Sequence, residues 1–252
     1  MDLDRLEQIP DIDCVIPVHM HGSSCDMQRL TTWAKNLNIL VLEDCAQAAG
    51  LNIQGKKAGT WGDMGAFSLY PTKNLFALGD GGVISTNNFE LAARARSISR
   101  FGVSQKSKYV HEIVGENSRL DSIQAGFASI NLRYLDQWND SRRNVASQYI
   151  QGLSGSNFSS INPHNSVYHH FVIFSSQRKE LRTFLSNRGI ATELHYPHLA
   201  ATEALGEQRT NFPNALKFCN LGVSLPISPW QSEENTAEVI RAILEFRPES
   251  WG

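Results

Sequence analysis

Two residues of this 252-residue chain are of types, and at places, where they could do chemistry together: Asp44 and Lys73. Each follows a short apolar run. Ile39 to Leu42 leads through Glu43 to Asp44, and Ala66 to Tyr70 hands the chain to Pro71, Thr72 and Lys73. The first run suits a strand buried on both faces of a parallel sheet and the second another short strand, and open α/β sheets collect ligands at the carboxyl ends of their strands. Pyridoxal phosphate needs a lysine amine for its Schiff base and an anion facing the pyridine nitrogen, because the protonated ring is the sink that stabilises a carbanion. Asp44 and Lys73 would fill those roles. By residue type alone, a strand-terminal Asp and a loop Lys more often end a strand and carry a solvated charge. The setting of Lys73 favours the chemical reading: it lies between two apolar stretches, and Gly79, Gly81 and Gly82 just beyond permit close backbone approach to a buried, deprotonable amine.

The same segment carries EDCAQAAG from Glu43, FSLYPTKN from Phe67 and LGDGG from Leu78. Further along stand GENSRLDSIQAG from Gly115, YLDQW from Tyr134 and GIATELHYP from Gly189, with VIPVHMHG ahead of them from Val15. In order and spacing this set resembles the DegT/StrS family of nucleotide-sugar aminotransferases, which use pyridoxal 5'-phosphate, and the resemblance covers nearly the whole chain. It implies an α/β fold of the aspartate-aminotransferase type (fold type I), with a large cofactor domain over residues 1–150 and a small C-terminal α+β domain over 151–252.

By that resemblance Asp44 partners the pyridinium nitrogen, Gln47 lies beside the ring, and Ser68 donates to the cofactor phosphate. Asn117 reaches the phosphate of a neighbouring subunit, which implies a homodimer, and His195 lies near the sugar. Lys73 decides the reaction class, because the family's dehydrating branch has histidine there. The retained amine implies transamination, with glutamate as donor and a keto group of a nucleotide-linked deoxysugar as acceptor, in amino-sugar or polysaccharide biosynthesis. Gln47 with YPTKN, NSRLD and LDQW resembles the branch acting at sugar C3 more than the C4 branch, which more often has histidine where Gln47 stands. His21 and Ala49 depart from the family, which commonly has an aromatic and a histidine there. Family members also carry a block ahead of the equivalent of Val15. The alternative is therefore a non-catalytic remnant or dimerisation partner that keeps the motifs without the pocket.

Composition sets modest bounds. A hydrophobic content of 41% and a charged content of 19% describe a globular chain, and a net charge of −2 gives no reason to expect nucleic acid or an anionic membrane. Cys14, Cys25, Cys45 and Cys219 show neither close pairing nor metal-ligand spacing, so they read as reduced packing residues, with no metal. An acidic N-terminus without an apolar stretch, and the lack of any membrane-length run, point to the cytoplasm.

Around the site the pattern predicts a strand at Val15 to Val18, a helix over Asp26 to Leu37, a strand at VIST after Gly82, and a helix from Asn88 to Arg100. Ser104 to His111 reads as a loop, Leu120 to Leu153 as one long helix or two in succession, and Gly152 to Pro163 as a linker. Beyond it, strands are expected at His169 to Ser175 and Ala191 to Tyr196, with a helix between them from Arg178 to Arg188. A last helix capped by Ser232 is expected to bury Ala237, Ile240, Ile243 and Leu244.

Overall fold

The structure, a computed structural model, describes residues 1–104, 107, 109–161, 165–199 and 212–247. The loop and linker expected at Ser104 to His111 and Gly152 to Pro163 lie partly outside these residues. Two compact units result: Met1–Asn139 with the returning segment Asn165–His169, and the chain from Asp140 onward without that segment.

The first unit contains α1 (Leu3–Leu6), β1 (Cys14–Val15), α2 (Met27–Asn36), β2 (Leu40–Asp44), β3 (Asn52–Ile53), β4 (Lys56–Lys57), β5 (Met64–Ser68), β6 (Gly82–Ser85), α3 (Phe89–Ile98) and α4 (Ser122–Asn131). α5 (Leu135–Gly152) carries the chain onward. The main sheet has the order β1-β2-β5-β6, parallel except for the β5–β6 pair. β3 and β4 form a separate hairpin whose turn residues, Gln54 and Gly55, both have positive φ, as a two-residue turn between twisted strands requires.

Of the two caps that the sequence offers for α2, Ser24 and Asp26, it is Asp26 that serves: its carboxylate accepts from the Arg29 N–H at 3.0 Å, satisfying an otherwise orphaned donor. Its Met27, Leu30 and Ala34 pack with Val15, Val41, Cys45, Ala48 and Leu51 in one cluster. Each fully buried large side chain there contributes about 1.5–3 kcal/mol. The stretch from Leu120 to Leu153 resolves into α4 and α5, joined by a short 3-10 turn.

Three expectations are corrected. β2 is not covered on both faces: Val41 and Glu43 are buried, but Leu40 is 53% exposed. The alternation arises because α2 covers one face and no described element covers Leu40. Ala191 to Tyr196 forms no strand, only a single bridge from Glu193 to Ser224, because the place beside β8 is taken by β9. The last helix buries Thr236, Val239, Ala242 and Ile243, leaving Ala237 and Leu244 outside, a rotation of the expected stripe.

The second unit holds a three-stranded antiparallel sheet of β7 (Ser159–Ser160), β8 (Phe171–Phe174) and β9 (Gly222–Leu225), with α6 (Arg178–Ser186), α7 (Pro213–Leu221) and α8 (Glu233–Glu245). Leu181 and Leu185 of α6 are wholly buried.

Glu43 positions the front of the first unit. Its side chain is fully buried, and both carboxylate oxygens are used twice. Oε1 accepts from the Trp61 and Gly62 N–H groups at 2.7 and 2.9 Å. Oε2 accepts from Gly59 N–H at 2.8 Å and pairs with His19 Nε2 at 3.0 Å. Burial alone would raise the carboxyl's pKa, but the His19 hydrogen bond and the three backbone donors outweigh it and hold the group below its ordinary value. A group so depressed contributes stability that is fully present above its unfolded pKa of about 4.3 and is lost as pH falls through the folded value. Glu43→Gln should therefore lower stability by about 3 kcal/mol at pH 7, measured by denaturant unfolding, with a smaller penalty as the pH falls below about 4. A penalty that does not change with pH would show that the native carboxylate is not ionised.

Candidate active site

Successive residues of a strand point to opposite faces, so Glu43, turned into the core, forces Asp44 to the other side of the sheet. Asp44 is fixed through its backbone: its N–H donates to Pro17 O and its carbonyl accepts from His19 N–H, both at 3.0 Å. Its half-buried carboxylate accepts from Ala46 N–H at 3.0 Å through Oδ1. Among the described residues no donor is paired with Oδ2.

Gln47 follows on the turn after β2 and is buried. Its Oε1 accepts from the His21 N–H at 2.6 Å, which fixes the amide's orientation. Ser68 ends β5, opposite Gly82 of β6. Its Oγ accepts from Tyr70 N–H at 3.3 Å, so the hydroxyl proton remains to be donated.

Lys73 sits in the turn that follows, its N–H bonded to Tyr70 O at 2.9 Å. The side chain is half-buried, and burial lowers its pKa while the negative charge of Asp44 pulls it partly back up. The charge of Asp44 thus reaches the amine of a lysine 29 positions away in the sequence.

The other two sequence-selected residues have partners of their own. Asn117 is exposed, bridges Arg100 through its backbone, and accepts from Arg119 Nε at 3.0 Å. His195 belongs to the second unit, where its ring stacks on His170 at 3.7 Å and its Nδ1 pairs with Ser224 Oγ at 2.9 Å.

Sequence reasoning missed four polar residues that hold the cluster: Glu43, Asn74, Asn139 and His169, all buried. A signal existed for Glu43, an acid continuing an apolar run, and for Asn74, which follows Lys73 inside the quoted motif. Asn139 and His169 carry no local signal, since their partners are remote in sequence. His19, Glu43 and Cys45 also bring potential ligand atoms within 4.8 Å of one another. The four acceptor positions of Glu43 are already taken, however. Burial, with the charges of Glu43 and Asp44, raises the Cys45 pKa and keeps the thiol protonated. The trio is a core element, its His19–Glu43 pair hydrogen-bonded and its carboxylate without lone pairs to spare.

Residues 8–244 match the model of the DegT/DnrJ/EryC1/StrS aminotransferase family. The chain belongs to that family. It is 38% identical over 242 residues to the "Pleiotropic regulatory protein" of Geobacillus stearothermophilus, covering 92% of this chain and 64% of that protein. It is also 38% identical over 246 residues to the dTDP-3-amino-3,4,6-trideoxy-alpha-D-glucose transaminase of Streptomyces venezuelae, covering 94% and 64%. The chain therefore spans a little less than two thirds of the length of these relatives. The crystal structure of S. venezuelae DesV in complex with a ketimine intermediate superposes with a TM-score of 0.91 at 37% identity, covering 97% of this chain and 68% of that one. The fold is thus that of the family's sugar aminotransferases, of fold type I. The family is pyridoxal phosphate dependent.

Among the described lysines, Lys73 is the one whose amine is held below its ordinary pKa by burial, with the charge of Asp44 acting against that shift. Incubation with pyridoxal phosphate, borohydride reduction and peptide mapping should place the label on Lys73. A label on the exposed Lys56 or Lys57 instead would overturn this assignment.

Proposed function

We propose that this chain serves the transamination of a nucleotide-linked keto-deoxysugar, with glutamate as amino donor and the amino group delivered at sugar C3. The observation that carries the reading is Lys73, a half-buried amine held below its ordinary pKa by burial and within reach of the charge of Asp44. An amine that gives up its proton more readily than a solvated lysine suits both covalent attachment and proton transfer near neutral pH. The donor set supports the cofactor: Asp44 offers a free carboxylate oxygen to a ring nitrogen, and Ser68 keeps a hydroxyl proton for a phosphate. Pyridoxal phosphate, when bound, supplies the electron sink and carries the amino group from donor to acceptor.

The chain's own residues do the rest. Asp44 holds the ring nitrogen protonated, Gln47 borders the ring, and Ser68 and the neighbouring subunit's Asn117 bind the phosphate. Lys73 anchors the cofactor and moves the proton, and His195 contacts the sugar. The exposed position of Asn117 supports a role across a subunit boundary. So do the apolar side chains left outside on β6, α3 and α4, namely Val83, Ile84, Phe89 and Ile123. A symmetric homodimer would cover such a surface. Within this reading residues 1–150 form the cofactor domain and 151–252 the smaller domain. The four free thiols suit a reducing cytoplasm. No described helix is long and apolar enough to cross a membrane.

The name of the S. venezuelae relative, a 3-amino-sugar transaminase, supports amination at C3. Turnover of 3-keto and 4-keto dideoxy nucleotide sugars with glutamate tests it, and at least a tenfold preference for the 3-keto substrate is expected, on the order of 1.4 kcal/mol of discrimination. Preference for the 4-keto substrate would sink the C3 assignment, and failure on both would favour the non-catalytic dimerisation partner. A mixture of Lys73→Ala and Asn117→Ala chains tests assembly. One intact site per heterodimer should recover cofactor trapping in the mixture, whereas no recovery at any ratio would show that Asn117 works within its own subunit.

A further inference from the structure

A closed circuit of buried hydrogen bonds runs beneath the cluster. Asn74 Nδ2 donates to Asn139 Oδ1 at 2.8 Å and to Val167 O at 2.9 Å. Asn139 Nδ2 donates to Ala49 O at 3.0 Å, two residues beyond Gln47. On the other side Asn74 Oδ1 pairs with His169 Nδ1 at 3.1 Å, and the His169 N–H donates to His21 O at 3.0 Å. The His21 N–H returns the circuit to Gln47 Oε1. Asn74, Asn139, His169, His21 and Gln47 are all at most 7% exposed.

The chemistry of the partners fixes every orientation. Val167 O and Ala49 O can only accept, so both Asn Nδ2 groups must face them. Asn74 Oδ1 is then an acceptor, and His169 Nδ1 must carry the proton that it donates. The backbone is shaped to allow this approach. At Gly50, with φ +83°, a Cβ would lie 2.6 Å from Asn139 Nδ2, and at Gly22, with φ +92°, one would lie 2.8 Å from the Val167 side chain.

We propose that Asn74, Asn139 and His169 are positioning residues: through this circuit they fix the Lys73 turn against the Gln47 turn and so hold the reacting amine in place. The inference rests on the reading of Lys73 as the cofactor anchor. Lys73 is joined to the circuit by one peptide bond, through Asn74, and Gln47 is a member of it. The two turns otherwise belong to different strand ends. A lysine whose flanking turn is clamped keeps its amine in the partly buried position that depresses its pKa, and a freed turn lets the amine move to water.

The test uses the full chain, with Asn139→Ala, His169→Phe and His169→Asn, the last retaining a donor at the Nδ1 position. Circular dichroism reports folding. Competitive acylation, without pyridoxal phosphate, gives the pH midpoint of the Lys73 amine, and borohydride trapping with pyridoxal phosphate gives cofactor affinity. In folded Asn139→Ala and His169→Phe the midpoint should rise toward that of ordinary lysine and the affinity should fall tenfold or more, while His169→Asn should restore both. Unchanged midpoints in folded variants would overturn the proposal. If every circuit-breaking variant unfolded, the circuit would be a folding element only, which also overturns it. A wild-type chain that traps no cofactor at Lys73, yet shows the midpoint shift, would sink the functional reading and leave the positioning role standing.

Discussion

An ionised carboxylate taken out of water costs several kcal/mol unless its lone pairs are met, and Glu43 is met four times. The requirement works in both directions. The carboxylate is tolerable only if residues 59–62 curl their amides toward it, and that loop holds its shape only while the carboxylate is there. Gly59 and Gly62 permit the curl: a Cβ at Gly59 would meet the Phe67 ring at 2.5 Å, and one at Gly62 would meet Val41 O at 2.5 Å. The loop leads directly into β5, which ends in Ser68. The fourth partner, His19, ties down the chain that contacts Asp44 through its backbone and Gln47 through His21.

Three of the sequence-selected positions therefore take their places from a residue that faces away from them. Strand alternation is the reason. With Glu43 locked inward, Asp44 has no alternative but the opposite face, and a register slip of one residue would bury the wrong acid. The pair Glu43–Asp44 divides its labour by geometry alone: one carboxylate is saturated with donors and structural, while the next keeps an oxygen free. Identical functional groups on adjacent residues thus acquire different chemistry from their surroundings.

Much of this was legible in sequence because it depends on local rules. Apolar runs marked β2, β5 and β8, Ser232 marked the start of the last helix, and Asp44, Gln47, Ser68 and Lys73 stood in recognisable motifs. The failures involve remote partners. Nothing near Gly222–Leu225 announces that β9, rather than Ala191 to Tyr196, pairs with β8, since the choice is made by strand pairing across about 50 residues. The face of the last helix was misjudged because Thr236 looks polar. Its hydroxyl, however, is bonded to Ser232 O at 2.9 Å and accepts from Gln231, which lets it be buried. Asn139 and His169 look like ordinary surface residues until the fold brings Asn74 and Ala49 against them.

Buried polar networks concentrate vulnerability, because losing one partner strands the groups left behind at about 1–3 kcal/mol each, whereas an exposed hydrogen bond is replaced by water. Two such networks lie among the described residues of the first unit, one centred on Glu43 and one on Asn74, and Gln47 is reached from both through the chain of His19 to His21. Lys73 and Asp44 themselves contribute little to this framework: one lies in an exposed turn, and the other is held by its backbone. Groups that must change partners during a reaction cannot also be fixed by saturated hydrogen bonding. The structure separates the two tasks, placing rigidity in Glu43 and Asn74, whose side-chain oxygens and nitrogens are paired, and leaving Lys73 Nζ and an oxygen of Asp44 uncommitted.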